Sequence, residues 1–458
     1  MHWTHDSRGL PGHRPLMGRR GEEEHAPLLP LSLPLALLTS LALLAGCGGD
    51  GGSGPSALSP VPVLNRVSPD SLHQADGTAQ LSLFGDGFVQ GSRVLWNGVE
   101  RTPIFVSDRT LRLSFEAGGL EALGEVGVAV RNPSPGGGTS AAHTVRVVPP
   151  HTCTAAGPNC LARLEARPGR FVRYYRSFDL TLPNPSIRRA LFVIHGLDRN
   201  VTFNFSTGIV VAESRNALRE MVVISPHFQA SDDNPAPDEY YWATGGWARG
   251  HLSLTGGPTP RVSSYEVVDQ ILEQLADPSV FPALEEIVVA GHSAGGQYVH
   301  RFASGSPVEA EVSGLRFRYV VANPSTFLYL GPERPDGSGG FAIPEPGACP
   351  DYNAWHRGLE DRNTYMNRLT DEKIRSNLMG RDLRILLGTS DTGSTDLDVT
   401  CGGMLQGEHR YARGVNILAY MDAFYPGHGH RGYEVLGVGH SSRQMLGSFR
   451  GLQAIFDP

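Results

Sequence analysis

Lysine is all but missing from this chain of 458 residues: Lys373 stands alone, and arginine supplies the rest of 39 basic side chains set against 46 acidic ones. With a formal net charge of −7 there is no basic field to hold a phosphate backbone, which excludes nucleic acid as a partner. Long apolar runs are also missing. The run from Leu35 to Ala45 is too short to cross a bilayer as a helix and has the length of a signal-peptide hydrophobic region. Cysteine is scarce, with five in all, and its spacing suits no zinc motif. No metal or other cofactor is expected. What the chain does hold is 56 glycines and 34 prolines, the mark of many loops and short strands.

The apolar run ends in Leu44-Ala45-Gly46-Cys47, which resembles a bacterial lipobox. That resemblance implies a signal peptide over residues 1–46, Cys47 as the lipidated first residue of the mature protein, and a membrane anchor on the cell envelope. Plain secretion after Ala45 or Gly46 is the alternative. Either places the remainder outside the cytoplasm, where thiols oxidise. Cys153, Cys160, Cys349 and Cys401 then form an even set with three possible pairings. The short loop favours Cys153 with Cys160, leaving Cys349 with Cys401.

Residues 47–60 are rich in Gly, Ser and Pro and read as a flexible tether. Residues 61–148 change to short segments of alternating apolar and polar residues, such as Thr110-Leu111-Arg112-Leu113-Ser114-Phe115. Turn signals such as Asn97-Gly98 separate them, the pattern of a small β-sandwich. Val67-Ser68-Pro69, Gly85-Asp86-Gly87-Phe88, Val94-Leu95-Trp96-Asn97-Gly98 and Val130-Arg131-Asn132-Pro133 resemble the IPT/TIG immunoglobulin-like domain. The resemblance implies a spacer, or a module that binds a surface ligand, without catalytic residues. Residues 149–168 read as a linker, and 169–458 as the catalytic domain. There strands such as Arg189–Ile194 and Met221–Ser225 alternate with helices, Ser263 and Glu266 are spaced as a capping box, and a mostly parallel sheet covered on both faces is expected.

The chemistry centres on Gly291-His292-Ser293-Ala294-Gly295. An apolar β-branched run, Glu286 to Ala290, precedes it and a helical pattern follows, the strand–turn–helix setting of a nucleophile elbow. A serine hydroxyl is a weak nucleophile until a base takes its proton, and the base needs an acid to orient it. Asp391 follows the strand Leu383 to Leu387, with Asp396 and Asp398 as rivals in the same loop. His440 follows the last expected strand. His428 and His430 precede that strand and read as a surface loop, and His292 as a packing or orienting residue. The expected triad is Ser293, Asp391 and His440. Oxyanion donors are the N–H groups of Ala294 and of Leu197, the latter in the loop after the strand ending at Ile194. The stretch Tyr240 to Trp247 is read as a pocket wall, a lid or core packing.

His195 to Asn200, Gly291 to Gln297, Asn323-Pro324-Ser325 and Gly437 to His440 together resemble the α/β-hydrolase superfamily, and within it a group of secreted hydrolases. The implied fold is an α/β-hydrolase with a mostly parallel central sheet, preceded by the small immunoglobulin-like β-sandwich. The implied activity is that of a serine hydrolase acting on a small-molecule or polymeric ester. A peptidase of the same fold, or a surface binding protein with a non-catalytic hydrolase-like domain, are the alternatives.

Overall fold

In a computed structural model of the protein, residues 58–457 are described, except 75–78, 117–118, 121 and 149–152. The expected signal peptide, Cys47 and most of the tether lie outside the described residues. Among the described residues no helix is long and apolar enough to cross a membrane.

The alternating segments of residues 61–148 form strands β1 (Val63–Ser68), β2 (Ser71–His73), β3 (Ala79–Asp86), β4 (Arg93–Trp96), β5 (Val99–Arg101), β6 (Ile104–Ser107), β7 (Thr110–Phe115), β8 (Gly124–Asn132), β9 (Gly138–Thr139) and β10 (His143–Val148). They make two sheets, β1-β3-β7-β6 and β2-β10-β8-β4-β5, with β9 on β8. Period-two patterning sends Leu81, Leu83, Leu111, Leu113, Val128 and Val145 into one shared core. Asn97 and Gly98, both at positive φ (50° and 85°), turn β4 into β5 as hairpin residues must.

The remaining strands are β11 (Leu161–Arg167), β12 (Arg170–Arg176), β13 (Arg189–Ile194), β14 (Met221–Pro226), β15 (Glu286–His292), β16 (Arg316–Ala322), the hairpin β17 (Arg334–Pro335) and β18 (Phe341–Ala342), β19 (Leu383–Gly388) and β20 (His430–Val435). Eight of them form one sheet in the order β11-β12-β14-β13-β15-β16-β19-β20. It is parallel from β14 to β20 and antiparallel at the β11 and β12 end. The linker expected over 149–168 is corrected here: Leu161–Arg167 is the edge strand of this sheet, so the sheet starts well before residue 169.

Strand geometry explains the uniformly apolar strands. Successive side chains point to opposite faces, so Ala190, Phe192 and Ile194 of β13 enter one core while Leu191 and Val193 enter the other. Helices cover both faces: α1 (Val201–Glu213), α2 (Ser264–Leu275), α3 (Ala294–Gly305), the short α4 (Val308–Glu311), α5 (Asp371–Gly380), the short α6 (Cys401–Met404), α7 (Arg410–Phe424), α8 (Ser442–Gly447) and α9 (Phe449–Phe456). Val267, Ile271 and Leu275 of α2 are buried, as their spacing implies. Its expected capping box is only half made. Ser263 Oγ accepts from Tyr265 N–H, but Glu266 pairs with Arg167 of the edge strand instead of reaching back. Disulfides join Cys153 to Cys160 and Cys349 to Cys401.

Candidate active site

Ser293 sits between β15 and α3 with φ 58° and ψ −121°, a conformation costly for any residue with a side chain. Close backbone approach holds it there. A Cβ on Gly291 would meet Gly295 O at 2.3 Å, and one on Gly295 would meet Ile194 O at 2.2 Å, so only glycine fits on either side of the turn. Ser293 N–H is fixed to Ala322 O of the neighbouring strand at 3.0 Å. Its hydroxyl has no hydrogen-bond partner among the described residues.

Asp391 and His440 come together from loops 49 residues apart, the carboxylate accepting a 2.6 Å bond from His440 Nδ1. A ring that donates from Nδ1 offers its lone pair at Nε2, the form a general base needs. Asp391 is buried at 3 % exposure, with Arg410 3.5 Å from its other oxygen. Ser293 and His440 line one cavity of about 330 Å³. No hydrogen bond joins Ser293 Oγ to His440 among the described residues.

Asn323 belongs to one of the stretches that carry the family resemblance, and its task comes from the third dimension. Its buried side chain accepts from Gly388 N–H at 2.8 Å and donates to Gly439 O at 3.3 Å. One amide thereby ties the end of the Asp391 strand to the residue before His440. Thr389 N–H to Val435 O at 3.1 Å and Ser390 N–H to Val438 O at 3.0 Å continue the seam between the two loops.

Leu197 lines the same cavity. The N–H groups of Leu197 and Ala294 donate to no protein acceptor among the described residues, which leaves both available to an oxyanion. The loop carrying Leu197 is pinned by its neighbours. His195 is buried, with Nδ1 bonded to Gly196 O at 2.9 Å and Nε2 accepting from Phe228 N–H at 3.0 Å. Burial lowers its pKa to about 3, so the ring is neutral and the loop's anchor does not titrate near neutrality. Arg199 pairs with Asp232 and Asp233, and Asn200 caps α1 through Phe203 N–H.

The rivals separate. Asp396 lines the cavity, whereas Asp398 is bound to Arg357 and Thr400. His430 departs from the surface-loop reading, whereas His428 lies in the half-exposed loop before β20. His428 bonds Asp422, and His430 opens β20, buried, with Nε2 on Leu378 O. Neither lines the cavity. Of the pocket wall considered over 240–247, Tyr240, Trp242 and Trp247 are wholly buried core, Trp247 packing on His195 at 4.4 Å between centroids. Asp198, Phe203, Asn204, Ser441 and Ser442 also line the cavity, and none was singled out from the sequence, because loop side chains are brought there only by the fold.

Strand order, elbow and loop placement together make this an α/β-hydrolase fold. No protein-family model matches the chain, and no curated protein matches it in sequence. Among solved structures it is similar to a poly(3-hydroxybutyrate) depolymerase from Bordetella parapertussis, at 20% identity and TM-score 0.46 over 64% of this chain and 88% of that one. It is similar also to a poly(aspartic acid) hydrolase from Sphingomonas sp. KT-1, at 22% identity and TM-score 0.45 over 65% and 97%. A siderophore hydrolase from Aspergillus nidulans matches at 16% identity and TM-score 0.34 over 66% and 97%.

Proposed function

We propose that the protein is an extracytoplasmic serine hydrolase that cleaves a carboxylic ester through an acyl-Ser293 intermediate. The observation that carries this reading is the Asp391–His440 bond beside a strained, unbonded serine in one cavity. With the substrate carbonyl oxygen against the N–H groups of Leu197 and Ala294, Ser293 Oγ attacks the carbonyl carbon and passes its proton to His440 Nε2. The imidazolium, held by Asp391, returns that proton to the leaving alcohol oxygen as the C–O bond breaks. Water then attacks the acyl carbon, giving its proton to His440, and collapse of the second oxyanion releases the acid and reprotonates Ser293.

The cavity lining adds a substrate preference. It includes Asp198 and Asp396 but neither lysine nor arginine. Esters neutral or cationic near the scissile bond fit this lining, and half-esters of dicarboxylic acids do not. Residues 61–148 are read as an immunoglobulin-like spacer of IPT/TIG type, and Cys47 as the lipid attachment that tethers the enzyme to the envelope.

The test is a series of p-nitrophenyl esters of graded chain length beside p-nitroanilide peptides. Turnover of neutral esters that Ser293→Ala abolishes, with hemisuccinate esters at least roughly tenfold slower, is the expected result. Faster cleavage of the anilides would convert the reading to a peptidase. Absence of turnover on both sets, together with no labelling by a fluorophosphonate, would make it a binding protein.

A further inference from the structure

Acyl transfer leaves His292 without a task. It is the variable residue of the elbow, 6% exposed, with its ring 4.4 Å from that of His440 between centroids and tilted by 43°. Its Nε2 is buried without a hydrogen-bond partner among the described residues, an arrangement that costs stability unless something else uses the atom. Burial and the neighbouring His440 hold its pKa well below the usual range, so the ring is neutral and keeps a lone pair. One ligand atom from each of His292, Asp391 and His440 lies within 4.8 Å of the others, and no other such group of three is found among the described residues.

We propose that His292, Asp391 and His440 form a binding site for a divalent cation of the zinc class, and that its occupation switches the hydrolase off. Two neutral imidazoles and a carboxylate suit that ion, which takes three protein ligands readily and leaves a fourth position open. Bonds of about 2.1 Å in a tetrahedron put ligand atoms roughly 3.4 Å apart, so the groups must close in by a modest side-chain rotation. His440, with its side chain 29% exposed, has the most room for that rotation. Either ring nitrogen of His440 serves, and both choices disable the base. At Nε2 the cation occupies the lone pair that would receive the serine proton. At Nδ1 it displaces the proton that His440 donates to Asp391, and the ring then carries its proton at Nε2, which makes that atom a donor. Arg410, 3.5 Å from Asp391, opposes the cation's charge and favours reversible occupation over a permanent structural ion.

The loss of activity rests on the proposed roles of Asp391 and His440, but binding of the cation does not, so the two are measured apart. Full-length Ser293→Ala protein, stripped with chelator, is titrated with zinc chloride by calorimetry. One site is expected that disappears in His292→Phe, which keeps a ring of similar size, and again in His292→Gln should the first variant fail to fold. In the otherwise wild-type chain, zinc should suppress fluorophosphonate labelling and chelator should restore it. His292→Phe, normalised to its own metal-free rate, should need at least tenfold more zinc for the same suppression. Unchanged zinc affinity in both His292 variants would overturn the site, and zinc binding without suppressed labelling would overturn the switch. A wild type that binds zinc through His292 yet never labels would support the site while sinking the hydrolase reading.

Discussion

Ser293 holds a strained backbone at the proposed nucleophile position. Its φ of 58° with ψ −121° carries about 1–3 kcal/mol of backbone strain, while glycine in its place costs only about 0.5–1 kcal/mol of extra unfolded-chain entropy. Ser293→Gly should therefore melt at a higher temperature than Ser293→Ala, although both are inactive, and differential scanning calorimetry of the pair checks it. Asp269 makes an opposite kind of statement. It is buried, accepts from Tyr365 and Ser306, and burial pushes its pKa up to about 7. In the unfolded chain it ionises near 4, so between about pH 4 and pH 7 the unfolded state releases a proton that the folded state keeps. Its contribution to stability is fully present below about pH 4 and fades as pH rises through about 7. Asp269→Asn should flatten that part of the stability–pH curve, measured as urea midpoints from pH 4 to 8. Ser293, Asp391 and His440 were all nameable from the chain, because a glycine-flanked serine, a post-strand aspartate and a post-strand histidine are local patterns. Asp269 and His292 were not legible in the same way: burial and an orphaned ring nitrogen are properties of neighbours.

The strands of the parallel sheet announce themselves, since strands buried on both faces read as unbroken apolar runs. The edge was missed for the complementary reason. Leu161–Arg167 is half-exposed, carries arginines and a glutamate, and follows a cysteine-containing turn, so it looks like connector until paired with β12. Loop clasps are equally silent in one dimension. Asn323 bonds Gly388 and Gly439, 65 and 116 positions further along the chain, through its two side-chain atoms, and nothing near it in the chain reveals either partner. Asn323→Ala should release the seam between the loops that carry Asp391 and His440. Misplacement by about 1 Å can cost on the order of 100-fold in rate. The expected outcome is a drop in kcat with KM nearly unchanged and a shifted acidic limb of the kcat–pH profile, which steady-state kinetics would read. A purely structural asparagine would lower the melting temperature and leave that profile alone.

At the scale of the whole molecule, among the described residues, the core of residues 58–148 shares no buried cluster with the cores on the two faces of the large sheet. Leu83→Ala, wholly buried in the first, should cost that unit about 2–5 kcal/mol. Its thermal transition should move to lower temperature while fluorophosphonate labelling at moderate temperature stays intact. A joint loss of both would mean the two-sheet unit supports the catalytic one. The account as a whole depends on His440 activating Ser293. The most direct measurement is the rate of fluorophosphonate adduct formation, mapped by peptide mass spectrometry, in wild type and His440→Ala. One adduct on Ser293, forming at least about 1000-fold more slowly without the imidazole, is the predicted result. An adduct on another residue, or an unchanged rate in His440→Ala, would contradict it.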